Sequence, residues 1–183
     1  YWHMVSKLML ASQEVSLNVL KGDGDEELKH RAVAAYYSVQ RGLGFRQSPK
    51  MYGAFPAEPY SHSQGERGAQ QPGLTGQVKE GILCRMGELG IDFQDGQLSF
   101  RPRILRSAEF AEGEISFTYA RTPVTFRIQE GADDARALVK MSDDRELEFS
   151  GAILDHDTTS LVIEEEDCVR GITVTIPGSW LIS

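Results

Sequence analysis

The sequence predicts an α+β protein, with three N-terminal helices followed by an antiparallel β-sandwich. In three segments before Gly90, apolar residues recur every three to four positions, which is the period of a helix that packs on one side. Beyond Gly90, short segments alternate between apolar and polar residues, and turn residues separate them, as in strands. We therefore predict a helical segment with a long polar loop at residues 1–90 and a β-sandwich domain at residues 91–183.

The first two helices are predicted at residues 2–20 and 25–42. Lys21-Gly22-Asp23-Gly24 is a stop signal between them, and Asp23 or Asp25 can cap the second helix. Because about four residues join the two helices, we expect them to pair as an antiparallel hairpin. The main apolar positions predicted for the first helix are Val5, Leu8, Met9, Val15, Leu17 and Val19.

A long polar stretch at residues 43–72 precedes the third predicted helix. Pro56, Pro59 and Pro72 each fix φ and remove a backbone donor, so no regular element fits there. A loop rich in hydrogen-bonding side chains that ends at a helix N-terminus is a typical way to build a polar binding site. The third helix is predicted at residues 73–89, with Thr75 as a cap and apolar positions at Val78, Ile82, Leu83 and Met86.

The candidate binding residues lie in this loop and at the start of the first helix. His62 can bond a ligand or carry a proton near neutral pH, although it can equally hold a turn. Arg67 can pair with an anion, or tie the loop to a nearby glutamate. Trp2 is a possible stacking platform for a sugar ring, and the alternative for this region is an ordinary amphipathic helix end. The predicted substrate-binding residues are Trp2, His3, Lys7, Tyr60, His62, Arg67, Gln70 and Gln71.

Carboxylates near the loop are the candidates for acid–base chemistry. Glu58, Glu66 and Glu80 are the candidates, but none has a context that predicts a raised pKa, so no catalytic residue is assigned. For Glu80 a surface salt bridge beside Lys79 is the simpler interpretation. The four histidines lack metal-ligand spacing, so we expect neither a metal nor another cofactor. Cys84 falls among apolar helix positions and is predicted to be a buried small hydrophobe.

Composition and charge limit the classes of binding partner that we expect. A net charge of −8, from 19 basic and 27 acidic side chains, argues against nucleic acid. No apolar run approaches the ~18 residues that span a bilayer, so no membrane segment is expected. Two distant cysteines slightly favour a reducing, cytoplasmic compartment. The chain begins YWHMVSKLML, inside an amphipathic pattern and without an initiator Met or signal peptide, so we expect the remainder of the same polypeptide upstream.

The β region is predicted to hold about eight short strands, joined first by an Asp95-Gly96 hairpin turn. The acidic stretch from Asp155 to Asp167 is predicted to be largely a solvated turn. The predicted strand segments are 91–93, 98–100, 115–119, 124–128, 137–139, 147–149, 161–163 and 172–176.

One run of residues resembles a known family. The helix TGQVKEGILCRMGELGI is followed by DGQLSFRPRIL. This order resembles the C-terminal end of the catalytic barrel in the six-hairpin, α/α-barrel glycoside hydrolases and the inverting disaccharide phosphorylases. In those families the last barrel helix leads into a strand pattern G-x-L-x-F/I-x-P-x-L/I, which residues 96–104 fit. The resemblance covers roughly residues 1–128.

The resemblance implies that the three helices are the end of an α/α barrel and that the loop before the third helix lines a sugar site. It implies an oligosaccharide or glycoside as ligand and, in the phosphorylases, phosphate near residues 62–71. The phosphate signatures of the family are not reproduced, and its general acid matches no residue here. We therefore predict the C-terminal fragment of a carbohydrate-active enzyme, for glycoside hydrolysis or phosphorolysis, with the acid on missing upstream chain. The alternative is a non-catalytic carbohydrate-binding or structural β-sandwich module.

Overall fold

The structure is a computed structural model that describes residues 2–23, 25–42, 77–164 and 167–182. Over these ranges it is a mixed α+β protein with four helices and two sheets, mostly antiparallel. Contacts between residues divide the chain into two compact units, Tyr1–Arg85 and Met86–Ser183. The described residues of the first unit are mainly helical, and the second unit contains both sheets.

The helical unit begins with α1 (Trp2–Lys21) and α2 (Glu26–Gly42), which confirms both predicted helices. Asp25 is the N-cap of α2, since its carboxylate accepts the backbone N–H of Glu27 at 3.1 Å. The two helices pack together, and the Ser16 hydroxyl donates to the carbonyl of Ala32 at 2.9 Å. Contact between the late part of α1 and the early part of α2 is what an antiparallel hairpin requires.

The third helix, α3 (Gln77–Glu88), continues from this unit into the next. The predicted residues 73–76 lie outside the described residues. Gly90 follows α3 with φ of 63°, and its N–H bonds the carbonyl of Gly87 at 3.1 Å, which ends the helix. Cys84 is buried, as predicted.

The predicted buried faces of these helices are wrong in part. On α1, Leu8 and Val15 are more than half exposed, at 55% and 58%. On α3, Ile82 is 58% exposed and Leu83 is 39% exposed. The physical reason is that the periodicity of a helix defines its faces, whereas its neighbours decide which face is covered. Among the described side chains, those buried on α1 are Ser6, Met9, Gln13 and Ser16, and those buried on α3 are Glu80, Cys84 and Glu88; the side chain of Val78 lies outside the described part of the chain.

The second unit contains a two-stranded and a five-stranded sheet. Strands β1 and β2 form the hairpin, and the order in the larger sheet is β3-β4-β7-β5-β6. The strands are β1 (Ile91–Gln94), β2 (Gln97–Phe100), β3 (Glu114–Tyr119), β4 (Thr122–Gln129), β5 (Arg136–Met141), β6 (Glu146–Ser150) and β7 (Val169–Pro177). The other elements are α4 (His156–Glu164) and short 3-10 segments at Ser107–Glu109 and Gly178–Trp180.

The hairpin between β1 and β2 confirms the Asp-Gly turn. Asp95 and Gly96 have φ of 51° and 77°, and Gln94 pairs with Gln97 across the turn. Positive φ at both central residues gives the twist that matches two antiparallel strands. A Cβ at Gly96 would also lie 3.0 Å from Nδ1 of His156, so the imidazole would have to shift slightly to admit a side chain.

The predicted strand at residues 161–163 is wrong, because these residues belong to α4. Asp155 accepts the backbone N–H of Thr158 at 2.8 Å and so caps the helix. Thr158, Thr159 and Val162 are buried at helical spacing. Three consecutive apolar residues cannot distinguish a strand from a helix, and the capping aspartate decides here. The predicted solvated turn is therefore replaced by α4 over His156–Glu164, while residues 165–166 lie outside the described residues.

One strand pair is parallel, which differs from the predicted all-antiparallel arrangement. β7 lies between β4 and β5, parallel to β4 and antiparallel to β5. The chain reaches this central position after α4, so β7 is not the hairpin partner of the strand before it.

Both sheets share one hydrophobic core. Phe100 of β2 meets Phe126 of β4 edge to face, with ring centroids 6.2 Å apart. Val162 of α4 joins the same cluster. The hydroxyl of Thr159 accepts a hydrogen bond from the backbone N–H of Leu98 at 3.0 Å, which connects α4 to β2. The larger sheet therefore has one covered face and one face that points away from the core.

Candidate functional site

The structure places few of the predicted substrate-binding residues. Lys7 lies on α1 with an exposed side chain. Trp2 and His3 belong to the first turn of α1, but their side chains lie outside the described part of the chain. Because only Lys7 of these three has a described side chain, their grouping into a site stays a prediction. The loop candidates Tyr60, His62, Arg67, Gln70 and Gln71, with Glu58 and Glu66, also lie outside the described residues.

Glu80 is buried, so the surface salt bridge predicted beside Lys79 is wrong. Its exposed fraction is 8%, whereas Lys79 is exposed. Its Oε2 atom is inaccessible and has no hydrogen-bond partner among the described residues. Burying a carboxylate without a donor is costly, since the charged group loses its hydration and gains nothing in return. This is the strongest sign of a functional group in the helical unit.

Polar residues on α1 are buried in the same unit. Gln13 is 2% exposed, and its side-chain amide donates to the carbonyl of Cys84 at 2.6 Å. Glu80 lies one turn before Cys84, so both belong to the same face of α3. Ser6 and Ser16 are fully buried on α1 at the spacing of the Gln13 face. The interior of this unit is therefore lined by hydrogen-bonding groups as well as by apolar ones.

The outer faces of the helices are apolar in places. Leu28 on α2 is 49% exposed, in addition to the exposed leucine, valine and isoleucine positions of α1 and α3. Met4 on α1 is 59% exposed and lies one turn from Leu8. Met4, Leu8 and Val15 therefore give α1 a row of exposed apolar side chains that a further packed element could cover. None of the described helices is both long and apolar enough to cross a membrane.

The chemistry available to Glu80 is that of an acceptor. An ionised carboxylate accepts hydrogen bonds at two oxygens and donates none. Over the described ranges, no three His, Cys, Asp or Glu side chains are grouped so that they could hold a metal ion. A hydroxyl or amine donor would satisfy the unpartnered oxygen if it displaced the groups that now cover Oε2.

A second polar cluster lies in the other unit, around Trp180. The guanidinium of Arg103 stacks 3.5 Å from the centre of the indole ring, and that of Arg101 lies at 5.4 Å. Arg101 also contacts the carboxylate of Asp134 at 3.5 Å. Burial lowers the pKa of Arg103, and the neighbouring Arg101 lowers it further, while Asp134 opposes both effects.

Sequence reasoning missed this cluster because its members are far apart in the chain. Arg101 and Arg103 follow β2, whereas Trp180 follows β7. Arg101 and Arg103 are two positions apart, which indicates that both side chains lie on the same side if the segment is extended. No signal in the sequence indicates which aromatic ring they contact.

The chain was compared with protein-family models and with curated proteins. No protein-family model matches the chain, and a search of curated proteins finds no significant match.

Proposed function

We propose that this chain is the C-terminal part of a carbohydrate-active enzyme of the α/α-barrel type, which hydrolyses or phosphorolyses glycosides. The helical unit contributes residues that bind the sugar, and the general acid lies on another part of the same polypeptide. The observation that carries this proposal is Glu80, a carboxylate 8% exposed whose Oε2 has no partner among the described residues.

A sugar is the ligand class that suits Glu80. Sugar hydroxyls donate to carboxylates while remaining neutral, so binding would satisfy the buried oxygen without adding charge to the interior. Gln13 lies in the same unit and already uses its amide N–H group to bond Cys84. Its position shows how a polar side chain is held rigidly inside this unit, as a sugar-binding wall requires.

The exposed apolar side chains support a larger helical assembly. Covering exposed apolar side chains with further helices removes them from water and stabilises the helices that carry them. Met4, Leu8 and Val15 on α1 point away from the residues that α1 buries. An α/α barrel, in which each helix packs on neighbours on both sides, would cover these positions.

The alternative, a non-catalytic carbohydrate-binding or structural module, has one observation in its favour. Phe93 on β1 is an aromatic residue 44% exposed. A binding module needs a platform of aromatic rings, however, and the outward positions of the five-stranded sheet carry none. One outward row across that sheet reads Ser116, Thr125, Thr173, Leu138 and Glu148. We therefore prefer the enzyme fragment.

Activity and binding assays on the 183-residue chain separate these functions. We expect no turnover of aryl glycosides, or of disaccharides with phosphate, because no general acid is assigned to this chain. Turnover by the chain alone would contradict the placement of the acid elsewhere. Calorimetric titration with oligosaccharides is expected to give weak binding, since only one wall of the site is present. Micromolar binding would favour the module instead.

A further inference from the structure

We infer that the β unit carries a second saccharide site, in an open cleft at one end of the five-stranded sheet. The cleft has a volume of about 440 Å³, within the range of about 300–1,000 Å³ that is typical of small-molecule sites. It lies between the loop that joins β4 to β5 and the adjoining ends of four strands, β4, β5, β6 and β7. The polar side chains that line it are Gln129, Asp133, Asp134, Arg136, Ser150 and Thr175.

The register of the sheet fixes one wall of this cleft. Arg136 of β5 pairs directly with Ser150 of β6 on one side and with Thr175 of β7 on the other. Directly paired residues have Cβ atoms about 5 Å apart, so the guanidinium and the two hydroxyls form a continuous polar row. The facing wall is the β4–β5 loop, which contributes Asp133.

These side chains have unused hydrogen-bonding capacity. Among the described residues, the side chains of Gln129, Asp133, Ser150 and Thr175 make no hydrogen bond or ion pair. Arg136 has five N–H donors, and its one contact is with Glu148 at 3.4 Å. Asp134 is already engaged, because it accepts from the N–H of Ala135 at 2.9 Å and contacts Arg101.

The mixture of donors and acceptors indicates a polyhydroxylated ligand. Asp133 only accepts, Arg136 only donates, and the hydroxyls of Ser150 and Thr175 do both. A simple anion would bind Arg136 but would be repelled by the two aspartates. A simple cation would bind the aspartates but would be repelled by Arg136. Vicinal sugar hydroxyls can satisfy all of these groups together. The choice of saccharide rests on the proposed function, whereas the cleft itself belongs to a different unit from Glu80.

Amide chemical shifts of the ¹⁵N-labelled 183-residue chain test this inference during titration with cellobiose and with maltose. We expect saturable shifts at Gly131, Asp133, Arg136 and Ser150. Arg136→Gln should weaken this response about tenfold, because hydrogen bonds to charged groups are the strong ones. Asp133→Asn should weaken it several-fold. Neither substitution removes a buried side chain, since both residues are exposed.

Two substitutions outside the cleft serve as controls with the same change of charge. Lys140→Gln lies on the same strand and face as Arg136, and Asp157→Asn lies on α4; both residues are exposed. Both should leave the titration unchanged. The inference is overturned if neither disaccharide shifts the cleft amides, if Arg136→Gln responds as the parent chain does, or if the amides respond to glycine or sodium phosphate instead of sugar.

The same titration separates this inference from the proposed function. Glu80→Gln should leave the cleft response intact, because it alters the helical unit only. In the parent chain, an absence of sugar-dependent shifts in α3 alone would count against the proposed function. An absence of such shifts in the cleft alone would overturn the second site.

Discussion

The side-chain amide of Gln13 donates a 2.6 Å hydrogen bond to the backbone carbonyl of Cys84, joining α1 to α3 across 71 positions of the chain. Both residues are buried, at 2% exposure each. A buried bond of this kind fixes the helices relative to each other within their unit and so holds the Glu80 face of α3 against a polar neighbour.

Gln13→Ala should loosen the attachment of α3 to α1. The substitution removes the donor and part of the packing, which costs about 1–3 kcal/mol for a buried hydrogen-bonded group. Amide hydrogen exchange over Glu80–Glu88 should accelerate accordingly. Ser12→Ala is the control, since the Ser12 hydroxyl bonds the Met9 carbonyl of its own helix. Equal exchange in both variants would contradict a tie between the helices.

Glu80→Gln and Glu88→Gln should have different effects on stability. Glu80 has an unpartnered oxygen, so removing its charge should leave the free energy of unfolding unchanged or raise it by about 1 kcal/mol. Glu88 is as deeply buried but makes an interaction, so its substitution should lower the free energy by about 1–3 kcal/mol. Urea unfolding measures both. A large loss from Glu80→Gln would mean that this carboxylate is a structural group.

Gly90→Ala should destabilise the protein by more than about 3 kcal/mol. Gly90 has φ of 63°, and a Cβ there would overlap the backbone carbonyl of Arg101. Gly113→Ala is the matched control, because Gly113 has φ of 81° but nothing within 4 Å of its Cβ position. That substitution should cost only the conformational strain, about 1–2 kcal/mol. Thermal unfolding compares them, and similar losses would contradict the close approach at Gly90.

Asp155 should contribute to the pH dependence of stability. The backbone N–H of Thr158, followed by its hydroxyl, holds the pKa of Asp155 below its usual value. Because the pKa is lower in the folded state, the carboxylate stabilises the fold above the unfolded value of about 3.9 and loses this contribution as pH falls below it. Asp155→Asn keeps an acceptor oxygen but does not titrate. Its loss of stability between pH 7 and pH 3, measured by urea unfolding, should be smaller than that of the parent chain.

The sequence predicted those features that local rules determine. The caps and stop signals gave α1 and α2, and the Asp95-Gly96 turn gave the first hairpin, because these depend on a few neighbouring residues. The buried faces of the helices were not predictable in the same way. An amphipathic pattern assumes that water covers the polar face, and here Gln13 and Glu80 are covered while Leu8 is exposed.

The remaining errors and omissions have a tertiary origin. The position of β7 between β4 and β5 depends on α4, which precedes it in the chain. Part of α4 was wrongly predicted as a strand because residues 161–163 are three consecutive apolar residues. The contact of Arg103 with Trp180 joins segments that only the folded sheet brings together. Of the predicted site residues, Lys7 is exposed on α1, and the loop residues 60–71 lie outside the described part of the chain, so their role stays a prediction.

The most direct test of the central claim is whether the helical unit binds sugar through Glu80. Cellobiose should be titrated into the ¹⁵N-labelled chain and its Glu80→Gln variant, with the amides of α3 and of His62 and Arg67 as reporters. The proposed function predicts saturable shifts at Lys79, Glu80 and the loop amides in the parent chain, weakened about tenfold in Glu80→Gln. Glu146→Gln on the exposed edge strand β6 should titrate as the parent does. An absence of shifts in α3, or an identical titration of Glu80→Gln and the parent chain, would contradict a sugar-binding role for this carboxylate.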